Sequence, residues 1–109
     1  MIGMLRDGVD YTTPTGIKTR LWGVGVLAER LHRNPQTVRR WEKEGIIPIA
    51  PFRDSSSHRN RMYSTEHIDA IVKCFEESGM KNGKSIAETE FSNLVYKEFE
   101  NLRKLFFGG

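Results

Sequence analysis

The sequence is poor in the residues that build disulfides and membrane spans. Among its 109 residues there is one cysteine, Cys74, so no disulfide can form within the chain, and a lone thiol is compatible with a reducing compartment. No apolar run approaches the roughly 18 residues that cross a bilayer, and the opening MIGMLRDG has no signal-peptide core. We therefore expect a soluble, cytoplasmic protein without a membrane partner.

Signs of catalysis or metal binding are also scarce. The histidines His32, His58 and His67 fall in different parts of the chain, and no cysteine or carboxylate stands beside them at metal-ligand spacing. A glycine-rich phosphate loop and a nucleophile motif are both absent. Glu42 and Glu44 are typical of solvated helix charges. The sequence therefore predicts a protein that is not an enzyme and that needs neither a metal nor a cofactor.

Two short helical patterns joined by a polar turn occupy residues 24–47. The apolar residues of the first helix have the i, i+3, i+4, i+7 spacing of one buried stripe: Val24, Leu27, Ala28 and Leu31. The second helix begins near Asn34 and Pro35, because asparagine caps free amides and proline suits the first helical position. Val38 and Trp41 share its inward face. This layout is a helix-turn-helix, which inserts its second helix into the major groove of duplex DNA.

The outward face of this second helix carries polar residues that suit base-edge reading: Gln36, Thr37, Arg40 and Lys43. Glutamine can pair with adenine through two hydrogen bonds, and arginine can pair with O6 and N7 of guanine. We therefore expect these four residues to read sequence in the major groove. The alternative is an ordinary surface helix with polar residues, and the paired helices and the turn spacing count against it.

Positive charge is concentrated in the same part of the chain. Residues 30–61 hold eight basic and three acidic residues, whereas residues 1–29 hold three of each. Residues 62–109 hold six basic and eight acidic residues. The net charge of +3 would be unremarkable if it were spread evenly, but a local excess is the footprint expected of a phosphate-binding surface.

A small hairpin, or wing, is predicted after the second helix. Residues 49–53 and 60–63 are short enough for two edge strands, and prolines and a serine run mark the turns around them. Basic residues here and on the helices can touch phosphates, which positions a protein without reading sequence. The predicted contacts to the DNA backbone are Arg33, Arg53, His58, Arg59 and Arg61. For the tip, a basic surface loop without wing structure is the alternative.

The order of these motifs resembles the winged-helix DNA-binding domain of MerR-type regulators. The matching segments are Leu27-Ala28 in the first helix, residues 37–42 and 44–48 in the second, and residues 61–64 before a third helix. The resemblance covers roughly residues 21–79 and implies that Arg39, Arg61 and Tyr63 touch the DNA backbone.

The residue pair Arg40-Trp41 stands where MerR regulators often carry two tyrosines. In this respect the chain is similar to smaller relatives from phage and mobile elements, namely excisionases, small terminase subunits and short repressors. Full-length family members carry an effector-sensing domain for which 109 residues leave no room, so a small-molecule sensor is not expected.

Two further helices are predicted beyond the wing. The third follows Ser64, ends at Gly79 and completes the core. A capping box of Ser85 and Glu88 opens the fourth after a hinge. The fourth helix carries the apolar stripe Phe91, Leu94, Val95, Phe99, Leu102, Leu105 and Phe106. This face must be buried on the winged domain or against a second copy, and the resemblance favours a homodimer.

The whole sequence predicts a mainly α fold in three parts. Residues 1–20 form an N-terminal arm, extended or partly disordered, because glycine and proline interrupt any periodicity. Residues 21–79 form a winged helix-turn-helix with a short two-stranded wing, and residues 85–107 form the added C-terminal helix. The predicted function is sequence-specific binding of double-stranded DNA by a homodimeric transcriptional regulator. The alternative is a phage-type DNA adaptor, such as an excisionase or small terminase subunit, that acts through a larger protein partner.

Overall fold

The computed structural model describes residues 8–55 and 60–108, so the predicted wing-tip residues His58 and Arg59 lie outside the described residues. The strands and helices are β1 Val9–Thr12, β2 Lys18–Gly23, α1 Val24–Leu31, α2 Pro35–Lys43, β3 Phe52–Arg53, β4 Arg61–Ser64, α3 Thr65–Glu77 and α4 Phe91–Phe107. Short 3-10 turns at Met80–Asn82 and Ile86–Glu88 connect α3 to α4. Helices packed on a small antiparallel sheet are compatible with a winged helix-turn-helix.

The predicted pair of helices is confirmed by α1 and α2. The whole apolar stripe of α1 is buried. Asn34 caps α2, since its side chain accepts a hydrogen bond from the Gln36 N–H at 2.8 Å. α2 buries Val38 and Trp41 and ends before Gly45, whose φ of 77° disfavours any residue with a side chain. The opposite face of α2 is thereby turned to the surface.

The predicted wing is one half of a four-stranded antiparallel sheet in the order β1-β2-β4-β3. β3 pairs with β4, and Arg53 lies opposite Arg61. β3 is shorter than the predicted strand at residues 49–53. Pro51 has no N–H to donate, and the Ala50 N–H bonds to a glutamate carboxylate of α2 instead of to a neighbouring strand. The wing is therefore short and is fastened to the second helix.

The predicted N-terminal arm is corrected over its described part, because β1 and β2 form a hairpin. β2 also pairs with β4, which joins this hairpin to the wing. The proline and glycine that suggested an irregular arm, Pro14 and Gly16, lie in the turn, where the Thr13 N–H donates to the Ile17 carbonyl at 2.8 Å. Because these turn residues lie close together in the sequence, they interrupted the pattern from which the strands on either side could have been predicted. Residues 1–7 of the predicted arm lie outside the described residues.

The apolar face of α4 is mostly covered by its own chain. The predicted dimerisation residues that are buried there are Phe91, Val95, Phe99 and Phe106. Leu94 and Leu102 are half-buried, and Leu105 is 55% exposed. The ring of Phe91 packs edge-on against Trp41 of α2 at 5.3 Å. Most of the stripe is therefore used inside one chain, which agrees with packing on the winged domain, the alternative that the sequence leaves open beside a dimer.

The start of α4 also differs in detail from the prediction. The capping box of Ser85 and Glu88 is present, but it opens the second 3-10 turn, and α4 begins only at Phe91. At the other end, Thr15 in the β1–β2 turn lies 2.7 Å from the Leu105 carbonyl and 2.9 Å from the Phe106 carbonyl, to which its hydroxyl can donate. Carbonyls at a helix C-terminus lack partners within the helix. The N-terminal hairpin therefore closes the end of α4.

Aromatic side chains fill the space between the hairpin, the wing and α4. The members of this terminal cluster are Tyr11, Phe52, His67, Phe106 and Phe107. The Phe52 ring lies 5.1 Å from Tyr11 and 6.0 Å from Phe107. The terminal cluster therefore ties β1 and α4 to β3, the first strand of the wing.

Candidate nucleic-acid interface

The outward face of α2 has the polar residues that the sequence places there. Gln36, Arg40 and Lys43 are exposed, whereas Thr37 is half-buried. Val38 and Trp41 lie on the other side of the helix, in the core. The helix is therefore anchored by one face and leaves long hydrogen-bonding side chains on the other.

A groove of about 640 Å³ runs between α2 and the wing. The residues that line it are Gln36, Arg39, Arg40, Glu42, Lys43, Ile49, Arg53 and Arg61. Five of these eight are arginine or lysine and only one is acidic, so the groove attracts anions. We call this surface the cationic groove. It brings together residues from α2, the loop after it and both strands of the wing.

Glu42 offsets part of this charge and fixes the shape of the groove. Its Oε1 accepts a hydrogen bond from Nε of Arg61 at 2.7 Å, and its Oε2 accepts one from the Ala50 N–H, also at 2.7 Å. The Glu42 side chain is only 7% exposed and that of Arg61 is 26% exposed. Glu42 is thus not the solvated helix charge that the sequence predicts. It joins α2 to the loop and to β4.

Arg61 consequently has a structural partner in addition to its predicted role at the DNA backbone. The Nε–H of Arg61 donates to Glu42, whereas its two terminal nitrogens form no hydrogen bond with the described residues. Since Arg61 lines the groove, those nitrogens remain placed to meet a phosphate. A guanidinium oriented by a buried carboxylate has a fixed direction, so little side-chain entropy would be lost when an anion binds.

Tyr63 does not fit the role that the family resemblance implies for it. Its side chain is fully buried within the central core. Its hydroxyl has no hydrogen-bond partner among the described residues. Burial, and secondarily the charge of Glu42, raises the pKa of this hydroxyl far above its usual range, so it stays protonated. Tyr63 supports the groove from beneath and does not reach a DNA backbone in this arrangement.

The other residues predicted to contact the DNA backbone do not all lie in one place. Arg39 is half-buried and Arg53 is exposed, and both line the cationic groove. Arg33 lies in the turn between α1 and α2, outside the groove lining, and its guanidinium stacks over the Phe75 ring at 5.1 Å. That contact is a cation–π interaction with α3, so Arg33 has a packing role there. The geometry thus groups Arg39, Arg53 and Arg61 and sets Arg33 apart.

Two groove residues were not singled out as functional from the sequence. Glu42 resembles any other helix glutamate, and only the close approach of Arg61 and Ala50 distinguishes it. Ile49 was assigned to a strand, yet it lies in the loop before β3 and is 72% exposed. Its position between Pro48 and Pro51 was the available signal, since neither proline favours the interior of a sheet.

A family model described as MerR HTH family regulatory protein matches residues 24–85. The chain belongs to this family. The match begins at α1 and takes in α2, the wing, α3 and the first 3-10 turn, so it contains the whole cationic groove. Neither the curated proteins nor the solved structures compared with the chain gave a match.

The matched MerR segment starts at residue 24, after β2, and stops at residue 85, before α4. The hairpin and α4 are thus additions outside the matched segment. In the described part of the chain no helix is long and apolar enough to cross a bilayer. The same residues contain no group of three or more histidine, cysteine or carboxylate side chains placed to hold a metal ion.

Proposed function

We propose that this MerR-family chain binds double-stranded DNA sequence-specifically and acts as a small transcriptional regulator. α2 enters the major groove, where Gln36, Arg40 and Lys43 meet base edges. The wing lies on the flanking backbone. The observation that carries this proposal is the cationic groove, in which five basic side chains stand beside the exposed face of α2.

The side chains of the groove support two separate roles, namely contact with phosphates and contact with bases. Arg53 and Arg61 project from paired strands of the wing, at opposite register positions, and are suited to phosphates. Arg40 and Gln36 are exposed on α2 itself and are suited to bases. Thr37 is half-buried, so its contribution to base reading is smaller than that of its neighbours.

Intramolecular burial of α4 changes the proposed assembly. With Phe91, Val95 and Phe99 in the central core, α4 cannot offer the long seam of a helical dimer. We propose that a single chain is the DNA-binding unit. Sedimentation as a monomer without DNA is the expected result. A stable dimer at low protein concentration would show that another surface pairs.

The adaptor alternative is favoured by a different observation. Leu105 is 55% exposed and Phe107 is 41% exposed at the end of α4, away from the groove lining. A larger protein partner could bind these side chains while the groove holds DNA. Binding of DNA alone, without a second protein, is common to both functions. Transcription from a promoter that carries the selected site separates them.

Selection from a pool of random duplexes tests the proposed function. We expect one sequence to be enriched, and Arg40→Ala to weaken its binding by about 1–3 kcal/mol and to relax preference at one base pair. Arg103→Ala is the matched control, because this arginine pairs with Glu100 on α4 and does not line the groove. A pool from which nothing is enriched would contradict sequence-specific binding.

A further inference from the structure

Ile49 is the most exposed of the described large apolar side chains, at 72%, and it lies in the cationic groove. We propose that Ile49 determines specificity by packing on the C5-methyl group of a thymine in the bound DNA. This inference rests on the proposed function, since it requires α2 in the major groove. It adds an apolar contact to the polar residues already assigned to base reading.

The backbone on either side of Ile49 is held firmly. Ile47 and Ala50 are buried, and the Ala50 N–H donates to Glu42. Pro48 and Pro51 restrict the backbone further because each fixes its φ angle. Exposure of Ile49 therefore comes from a fixed loop between two buried anchors.

α4 holds the same loop from the other side. The Ser92 hydroxyl donates to the Ile46 carbonyl at 2.7 Å, and the Tyr96 hydroxyl donates to the Gly45 carbonyl at 2.9 Å. These bonds join the loop to the helix that completes the core. A side chain presented by such a loop keeps its position relative to α2, which is the condition for reading one base.

The chemistry of the groove selects the occupant. Apart from Glu42, the groove residues around Ile49 are basic or carry an amide, and they suit phosphates and the donor and acceptor atoms of bases. An isoleucine side chain can bind neither a phosphate nor the hydrogen-bonding atoms of a base. On the major-groove edge of DNA the apolar feature is the thymine methyl group, which apolar side chains contact. Ile49 lines the same groove as Gln36 and Arg40, so it can read a base pair beside theirs.

Deoxyuridine tests this contact, because it differs from thymidine only by the missing methyl group. Each thymine of the selected site is replaced singly, and binding is measured for the full-length wild type and for Ile49→Ala. For the wild type we expect one replacement to weaken binding about fourfold, the effect of losing one buried methyl group. Ile49→Ala should weaken binding to the thymine duplex and should be insensitive to that same replacement.

Val9→Ala is the matched control, because Val9 is also a β-branched residue, 51% exposed, on a strand at the far edge of the sheet. It should leave both affinities unchanged. The inference would be overturned if Ile49→Ala and the deoxyuridine replacement lowered the affinity independently of each other. It would also be overturned if no thymine of the selected site could be replaced with a loss of affinity. If the wild type binds no duplex at all, the proposed function fails as well.

Discussion

The cationic groove and the terminal cluster are built in opposite ways. The groove is polar and exposed, and its walls are joined by one nearly buried carboxylate, that of Glu42. The terminal cluster is aromatic and is closed by Thr15 at the carbonyl end of α4. The first lies within the matched MerR segment, and the second depends on the hairpin and α4 outside it.

This contrast shows that the added elements brace the proposed DNA-binding surface. α4 is bonded through Ser92 and Tyr96 to the loop that follows α2. The terminal cluster contains Phe52, which belongs to the first strand of the wing. A surface that must stay solvated cannot bury enough apolar area to fix itself. Its geometry is set by the layers beneath, and the two additions enlarge those layers.

The largest effect is expected from removing the contact that Phe91 makes between α4 and the core beneath the groove. Its ring is fully buried and packs against Trp41 and Phe75. Phe91→Ala should lower the free energy of unfolding by about 3–5 kcal/mol, measured by chemical denaturation. Leu105→Ala, on the exposed part of the same helix, should change it by less than about 1 kcal/mol. Equal losses would mean that α4 does not complete the core.

The terminal cluster can be distinguished from the groove by its response to pH. The His67 ring is buried, and its Nδ1 lies 2.6 Å from the Ser64 hydroxyl. Burial lowers the pKa of His67 from 6.5 to about 4, and the charge of Glu66 opposes this only in part. The ring therefore stays neutral in the folded protein at pH values where it is already protonated in the unfolded chain.

Stability linked to His67 should accordingly be complete above pH 6.5 and fall as the pH drops from 6.5 to about 4. The total loss is about 3 kcal/mol, from the 1.36 kcal/mol that each unit of pKa difference represents. Denaturation curves across this window provide the measurement. His67→Gln should flatten the dependence there. An unchanged slope in the variant would assign the dependence to other groups.

Much of the MerR-like core was predictable, because helical periodicity reports directly which residues are buried. The stripe of α1, the Asn34 cap and the exposed face of α2 all follow from local spacing. The apolar stripe of α4 was equally clear. Periodicity predicts that such a face is buried, but it does not identify the surface that buries it. The choice between a second chain and the core therefore required the tertiary structure.

Other features depend on contacts between distant residues. Tyr63 lies in β4 among neighbours buried on both faces, so the strand shows no alternation that would reveal its burial. Glu42, on helix α2, acquires its role from Arg61, which lies on strand β4. The β1–β2 hairpin is stabilised by pairing with β4 and by contacts to α4. None of these partners can be identified from spacing along the chain.

A smaller effect is expected from Glu42→Gln, which tests whether the groove depends on its buried carboxylate. The amide retains the size of the side chain but loses the charge that pairs with Arg61. We expect the free energy of unfolding to fall by about 1–3 kcal/mol and DNA affinity to fall for the selected and unselected duplexes alike. Glu44→Gln is the control, since Glu44 is exposed at the end of the same helix. Stability equal to that of the control would contradict a bracing role.

The smallest effect should come from Tyr96→Phe, which removes only one hydroxyl from the contact between α4 and the loop that follows α2. Tyr96 is 44% exposed, and its hydroxyl donates to the Gly45 carbonyl at 2.9 Å. One such bond contributes about 0.5–1.5 kcal/mol to stability, so the protein should remain folded. Because the bond holds the loop that carries Ile49, we expect a loss of affinity for the selected site that exceeds the loss for random duplex.

Tyr11→Phe is the control, because it removes a hydroxyl from the terminal cluster that forms no hydrogen bond with the described residues. It should leave both affinities unchanged. Equal behaviour of the two variants would show that the loop keeps its position without the Tyr96 hydrogen bond, and this bond would then contribute to stability alone.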